Sequence, residues 1–303
     1  MRHFLTLLDL SPDEINTLLD EAARLKAESK AGRRETLLAG RVLGMIFEKP
    51  SLRTRASFEA AMAQLGGSTI FFSPTDGKLG QREPVPDFAR TLSQYVDIMV
   101  LRTFRHATIE EFAAYSAIPV INGLSDLDHP CQALGDLLTL REQFGGVQGR
   151  TLVFVGDGNN VARSVAVGCG KLGGRFILAA PEGYGFDDAF LGTFARACPH
   201  GELLQNGTPA HVVGAADVIY TDVWTSMGQE DEREQRLCTF AKFQVNAELM
   251  ALALPHTRLM HCLPAHRGEE VTAEVIDGAR SIVFEQAGNR MHAQKALLKW
   301  LLT

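Results

Sequence analysis

The chain has 303 residues, 46% of them hydrophobic and 22% charged, a globular mixture that excludes a disordered chain, a collagen and a coiled coil. Its length favours two domains, with enough core to need no disulfide or metal staple. The formal net charge of −6 argues against general nucleic-acid binding, which wants a basic face, but leaves room for a local pocket that takes a small anion.

Ser11, Pro12, Asp13 and Glu14 form a helix start: a capping hydroxyl, a proline at the first helical position and an acid at the third. Ile15, Leu18, Leu19, Ala22 and Leu25 then follow at helical spacing. From residue 41 the chain alternates. Strand-like runs are predicted at 41–49, 68–73, 97–104 and 118–124, with helices over 52–66, 84–95, 108–116 and 129–144. Gly145 and Gly146 punctuate the chain. Residues 150–181 then read as strand, glycine turn, helix, strand, and further strands are predicted in 217–224, 258–264 and 281–286. Residues 289–303 carry Ala293, Ala296, Leu297, Trp300 and Leu301 at helical spacing and predict a closing helix. Alternating strands and helices predict an α/β fold of two domains, each a parallel sheet flanked by helices. The boundaries read as 1–146, 147–288 and a terminal helix, 289–303, packing back on the first domain.

Cysteines stand at 131, 169, 198, 238 and 262, an odd number with no CxxC pair. A disulfide framework is not expected, and a reducing, cytoplasmic setting is. The N-terminus lacks a signal-peptide pattern. No apolar run reaches the roughly eighteen residues of a membrane span, so no membrane partner is expected.

Several segments carry groups suited to chemistry. In Ser51-Leu52-Arg53-Thr54-Arg55 a predicted helix begins after Pro50. Its unpaired N–H groups, two arginines and two hydroxyls suit a phosphate or another compact oxyanion. The alternative is a capped helix whose arginines meet surface acids. His129 and Gln132 lie three residues apart around Pro130 and can present an imidazole and an amide to a carbonyl oxygen and an NH₂ group. Helix capping by Asp128 beside a packed histidine is the plainer reading. Gly156 and Gly158 follow a strand as in a dinucleotide fingerprint, but Val161 replaces the third small residue and no acid closes the second strand. Asn159 and Asn160 at that turn can still hold a polar ligand. Asp222 ends a strand and suits an ammonium group, or caps its own turn. Cys262 lies between His261 and His266, with no fourth ligand spaced for zinc.

In order, Ser51 to Arg55, His129-Pro130-Cys131-Gln132, Asp222 to Gly228 and His261-Cys262-Leu263-Pro264 resemble the signatures of the aspartate/ornithine carbamoyltransferase superfamily. The last two, with Gly156 to Asn160, resemble its ornithine branch. The resemblance runs from the first helix to the last. It implies an active site in an interdomain cleft and a homotrimer or a multiple of one. The implied reaction joins carbamoyl phosphate and L-ornithine to give L-citrulline and phosphate, a step of arginine biosynthesis or a urea cycle, without metal or organic cofactor.

Residue by residue, it implies carbamoyl phosphate at Ser51, Leu52, Arg53, Thr54, Arg102, His129, Gln132, Cys262, Leu263 and Arg290. It implies ornithine at Asn160, Asp222, Ser226 and Met227, with Arg102, His129, Asp222 and Cys262 in catalysis. Leu52 stands where many relatives have threonine, leaving only its backbone N–H for phosphate. Lys78 falls in a loop where aspartate enzymes donate a lysine to the neighbouring subunit, so a contact across subunits is hypothesised for it. Competing readings change the acceptor to N-acetylornithine, N-succinylornithine, putrescine or aspartate, or make the chain a dehydrogenase or a non-catalytic scaffold.

Overall fold

The computed structural model describes residues 1–73, 79–226 and 229–303. Lys78 and Met227 lie outside the described residues. The chain forms two compact units, Met1–Leu138 with Asn289–Thr303, and Thr139–Gly288. The division falls inside a helix. Gly145 and Gly146, where the sequence suggests a boundary, follow the end of that helix.

The first unit runs through α1 (Pro12–Lys30), β1 (Val42–Phe47), α2 (Leu52–Gln64), β2 (Ser68–Phe72), α3 (Val85–Leu92), β3 (Ile98–Arg102), α4 (His106–Tyr115), β4 (Val120–Leu124) and the start of α5 (Pro130–Phe144). The expected cap of α1 forms: Ser11 Oγ accepts from Glu14 N–H while the Glu14 carboxylate accepts from Ser11 N–H. Among the described residues the sheet order is β2-β1-β3-β4, all parallel. β1, β3 and β4 are almost wholly buried, whereas no residue of the edge strand β2 is. Leu101, Met99, Ile109, Phe112 and Val120 form part of one core layer.

The second unit continues with β5 (Thr151–Val155), α6 (Asn160–Lys171), β6 (Arg175–Ala179), α7 (Asp188–Ala197), β7 (Glu202–Asn206), β8 (Val218–Thr221), α8 (Arg233–Phe240), α9 (Ala247–Ala251), β9 (Arg258–His261) and α10 (Ala273–Ile276). Its parallel sheet has the order β7-β6-β5-β8-β9. Val153, Val155, Ile219, Trp224, Phe240 and Leu259 belong to its core. The last helix, α11 (Val283–Leu302), starts within this unit and ends the chain.

One predicted strand is corrected. Residues 281–286 pair with β9 only through a bridge at Ser281 and Leu259, and Val283 already opens α11. There Gln286 is buried as a helical side chain: its Oε1 accepts from His261 N–H at 2.9 Å and its Nε2 donates to the Tyr220 hydroxyl at 3.1 Å. β7, α7, α8, α9 and α10 go beyond the elements expected from the sequence.

In each sheet the strand order reverses direction once, between β1 and β3 and between β5 and β8. Open parallel sheets bind ligands beyond the carboxyl ends of their strands at such points. Ser51 to Arg55 follow β1, Arg102 ends β3, Gly156 to Asn160 follow β5, and Asp222 follows β8. The chemistry-bearing motifs therefore fall at the two places where this topology opens a crevice.

Candidate active site

In the first unit, Thr54 is the meeting point. Ser51 has extended backbone and caps α2, its Oγ accepting from Thr54 N–H at 3.3 Å. Thr54 is wholly buried, and its Oγ1 accepts from Ser51 Oγ at 2.9 Å, Arg102 Nη1 at 3.4 Å and Arg290 Nη2 at 2.5 Å. Both arginines are only 5% exposed. Register puts Arg102 opposite Phe47 at the end of β1. Arg290 arrives from α11, crossing α5 so closely that a Cβ on Gly135 would stand 2.9 Å from Arg290 Cα.

Arg290 Nη1 also donates to Gln132 Oε1 at 3.4 Å, and Gln132 Nε2 donates to Asp136 Oδ1 at 2.8 Å. His129 is buried nearby. Burial first, then the positive charges of Arg290 and Arg102, hold its pKa well below the usual 6.5. It is therefore a neutral imidazole at pH 7. Two buried guanidiniums, a neutral imidazole, two hydroxyls and a helix start offer donors to a small, doubly charged oxyanion.

Arg53 and Leu52 lie exposed at the start of α2, Leu52 with 82% of its surface in solvent. Arg55 turns elsewhere: its Nε donates to Glu59 at 2.8 Å and its guanidinium lies over the Phe71 ring at 4.0 Å. Of the two arginines in that motif, only Arg53 remains available to an anion at the helix start.

In the second unit, Asp222 is the meeting point. Its Oδ1 accepts from Val223 N–H at 2.8 Å and from Cys262 Sγ at 3.0 Å, and its Oδ2 accepts from Asn159 Nδ2 at 2.9 Å. Asn159 also caps α6, its Oδ1 accepting from Val161 and Ala162 N–H, both at 3.0 Å. The cap uses the amide oxygen, so the NH₂ end faces Asp222. Asn160, the first residue of α6, adjoins this contact. Ser226 N–H donates to Gln229 Oε1 at 3.0 Å.

Leu263, next to Cys262, has φ +58°, a backbone region that side chains other than glycine rarely adopt and that recurs at active sites. Its N–H donates to His261 Nδ1 at 2.8 Å, so the ring proton lies on Nε2, 3.0 Å from buried Glu270 Oε1.

Sequence reasoning missed three supporting residues: Asp136, Glu270 and Arg236. Arg236 ties the two ligand-side loops together, donating to Asp157 Oδ2 at 2.7 Å and to the Trp224 carbonyl at 3.0 Å. Asp136 had a local signal, since Gln and Asp four residues apart meet on a helix. Arg236 and Glu270 had none.

Asp222, His261 and Cys262 each bring a metal-ligand atom within 4.8 Å of the others. Both nitrogens of His261 are nevertheless engaged, by Leu263 and Glu270, so the imidazole is committed to the protein. The glycine turn is equally committed. Gly158 N–H, which a dinucleotide site would aim at a pyrophosphate, donates to Tyr184 O at 2.8 Å. A Cβ there would meet Gly185 at 3.0 Å.

Fold and sites together define an α/β protein with an oxyanion cluster in one unit and a carboxylate–thiol cluster in the other, the equipment of a group-transfer enzyme. The family model for the aspartate/ornithine carbamoyltransferase carbamoyl-P binding domain matches residues 2–142, and that for the Asp/Orn binding domain matches residues 148–301. The ornithine carbamoyltransferase of Bacillus subtilis (strain 168) is 52% identical over 303 residues, covering 99% of this chain and 94% of its own. That of Nitrosococcus oceani is 52% identical over 301 residues, covering 99% and 97%. The solved ornithine carbamoyltransferase of Pyrococcus furiosus superposes with a TM-score of 0.97 at 48% identity, covering 99% of this chain and 97% of that one. The chain belongs to the aspartate/ornithine carbamoyltransferase family, and within it groups with the ornithine carbamoyltransferases.

Proposed function

We propose that this enzyme transfers the carbamoyl group of carbamoyl phosphate to the δ-amine of L-ornithine, giving L-citrulline and phosphate. The observation that carries this reading is the pair of buried arginines on the Thr54 hydroxyl, beside a helix start and a neutral histidine. The phosphate would rest on the N–H groups of Leu52 and its neighbours, with Ser51, Arg53, Thr54, Arg102 and Arg290 around it. His129 and Gln132 would hold the carbamoyl group. As the amine attacks the carbonyl carbon, Thr54, Arg102 and His129 would stabilise the oxyanion. Such preorganised donors are often worth about 3 kcal/mol each in the transition state. The C–O bond to phosphate then breaks, its charge already balanced by the arginines.

Asn160, Asp222, Ser226 and Met227 are the proposed ornithine contacts, and Cys262 and Leu263 would line the reacting centre. A free alkyl amine has a pKa of about 10.4 by analogy with lysine, and only its neutral form attacks. The Asp222 carboxylate, already paired with the Cys262 thiol, is placed to attract the ammonium end of the substrate and to take part in the proton's removal. A free α-ammonium favours ornithine over its N-acylated forms, and an acidic acceptor such as aspartate would want basic groups at Asp222. No step of this scheme calls for a metal or organic cofactor.

We also place the enzyme in the cytoplasm, in arginine biosynthesis or a urea-cycle step, as a homotrimer or a multiple of one. Free cysteines suit a reducing compartment. No helix among the described residues is long and apolar enough to cross a membrane. Exposed Leu52 and Ile70, on α2 and the edge strand β2, are apolar surface that a second copy would cover.

The test is turnover of carbamoyl phosphate with ornithine, N-acetylornithine, N-succinylornithine, putrescine and aspartate in parallel, with products identified by mass. Citrulline from ornithine alone is expected. Turnover with another amine would overturn the acceptor assignment, and no turnover with any would overturn the enzymatic reading.

A further inference from the structure

Gln132 is held at both ends by groups of opposite chemistry. Its Nε2 donates to Asp136 Oδ1 at 2.8 Å, and its Oε1 accepts from Arg290 Nη1 at 3.4 Å. An ionised carboxylate only accepts and a guanidinium only donates. With Asp136 a carboxylate, turning the amide over would set oxygen against oxygen there and NH₂ against guanidinium at Arg290, making both contacts repulsive. Asp136 has no exposed surface and Gln132 almost none, so water is not there to offset the mismatch. The amide is therefore fixed with its oxygen toward Arg290, whose other terminal nitrogen donates to Thr54.

That fixes the polarity of one position in the cluster. The arginines around Thr54 supply donors only. Gln132 Oε1 is an acceptor facing the same place, and its sense is set by Asp136, one helical turn further along α5. An acyl phosphate with an NH₂ beside its carbonyl can donate to that oxygen. One with a methyl of the same size cannot, and would leave a desolvated acceptor facing a hydrocarbon. Sites built to bond a polar group discriminate strongly against an isostere that lacks it.

We propose that Asp136 is a specificity-determining positioning residue: by orienting Gln132 it makes the site select a carbamoyl over an acetyl phosphate. The inference rests on the carbamoyl-transfer reading above. Asp136 acts through Gln132 and need not touch the substrate.

The test is carried out on the whole enzyme with saturating ornithine, comparing the KM for carbamoyl phosphate with the competitive inhibition constants of acetyl phosphate and inorganic phosphate. In the wild-type enzyme acetyl phosphate should bind at least about tenfold more weakly than carbamoyl phosphate, as expected for one lost hydrogen bond in a desolvated site. Asp136→Asn has the same shape but presents either a donor or an acceptor, so the sense of the Gln132 amide then rests on the 3.4 Å contact to Arg290 alone and the turned form becomes populated. In that variant the ratio of the acetyl phosphate constant to the carbamoyl phosphate KM should fall about tenfold, with the inorganic phosphate constant unchanged.

A merely structural role would move all three constants together and leave the ratio intact, and that result overturns the inference. Should Asp136→Asn not fold, the same three constants are read in Asp136→Ser, which removes the carboxylate and is expected to lower the same ratio. Equal affinity for the two acyl phosphates sinks the inference while citrulline formation leaves the function standing. A wild-type enzyme that consumes no carbamoyl phosphate sinks both.

Discussion

The Thr54 hydroxyl shows how much one side chain can organise. Three donors reach its oxygen, two of them buried guanidiniums. Thr54→Val keeps the shape, removes the acceptor and leaves two buried cations with one partner fewer. We expect kcat/KM for carbamoyl phosphate to fall about a hundredfold at saturating ornithine, the scale of losing one preorganised group; a loss under about threefold would remove Thr54 from the transition state. His129 makes a second prediction, about pH. Its pKa is depressed in the folded state by burial and by Arg290 and Arg102. Above pH 6.5 the imidazole is neutral in both folded and unfolded chains and contributes no pH dependence. Below 6.5 the unfolded chain takes up the proton and the folded one does not, so stability falls as pH falls. His129→Gln should flatten that part of the slope, read as a smaller difference in urea midpoint between pH 7.5 and pH 5. An unchanged slope would mean that the histidine is protonated in the fold.

Elements were legible wherever a local rule governed them. Ser11 and Ser51 announced the starts of α1 and α2 through capping chemistry, and buried strands such as β3 and β5 announced themselves as short apolar runs. β7 was not legible, because Glu202 to Asn206 is an edge strand with a polar, half-exposed pattern. The apolar run at 281–286 misled, because a short apolar stretch fits a buried helix start as well as a strand. The site was legible only in pieces. Arg290 and Thr54 are separated by 236 positions, and no local spacing joins them; the resemblance did, and the crossing of α5 and α11 supplies the physical reason. Gly135 makes that crossing possible. A methyl there would lie 2.9 Å from Arg290 Cα and 3.1 Å from Arg290 N, against backbone that cannot turn aside. Gly135→Ala should therefore cost about 1–3 kcal/mol of stability by overpacking. It should also raise the carbamoyl phosphate KM, because α11 carries Arg290 outward as it moves. Stability loss with an unchanged KM would show that the helix relaxes without moving the arginine.

At the scale of the whole molecule, an acidic chain of net charge −6 gathers two buried guanidiniums on one hydroxyl. The local field, not the total charge, sets the ligand. Arg53 stands exposed at the start of α2, next to Leu52. If Lys78 completes the site of a neighbouring subunit, each site combines Arg53 from one chain with Lys78 from another. Lys78→Ala chains then lack a donor in every site, and Arg53→Ala chains lack an anchor in every site, so each homo-oligomer alone is impaired. Mixed by unfolding and refolding in equal amounts, the two form hybrids. A site is intact when its Arg53 comes from a Lys78→Ala chain and its Lys78 from an Arg53→Ala chain. In a cyclic oligomer with random assembly that holds for about a quarter of the sites. We expect about that fraction of wild-type activity to return on mixing. If activity stays at the mean of the two parents, no site is shared through these residues, and Lys78 serves its own chain or none.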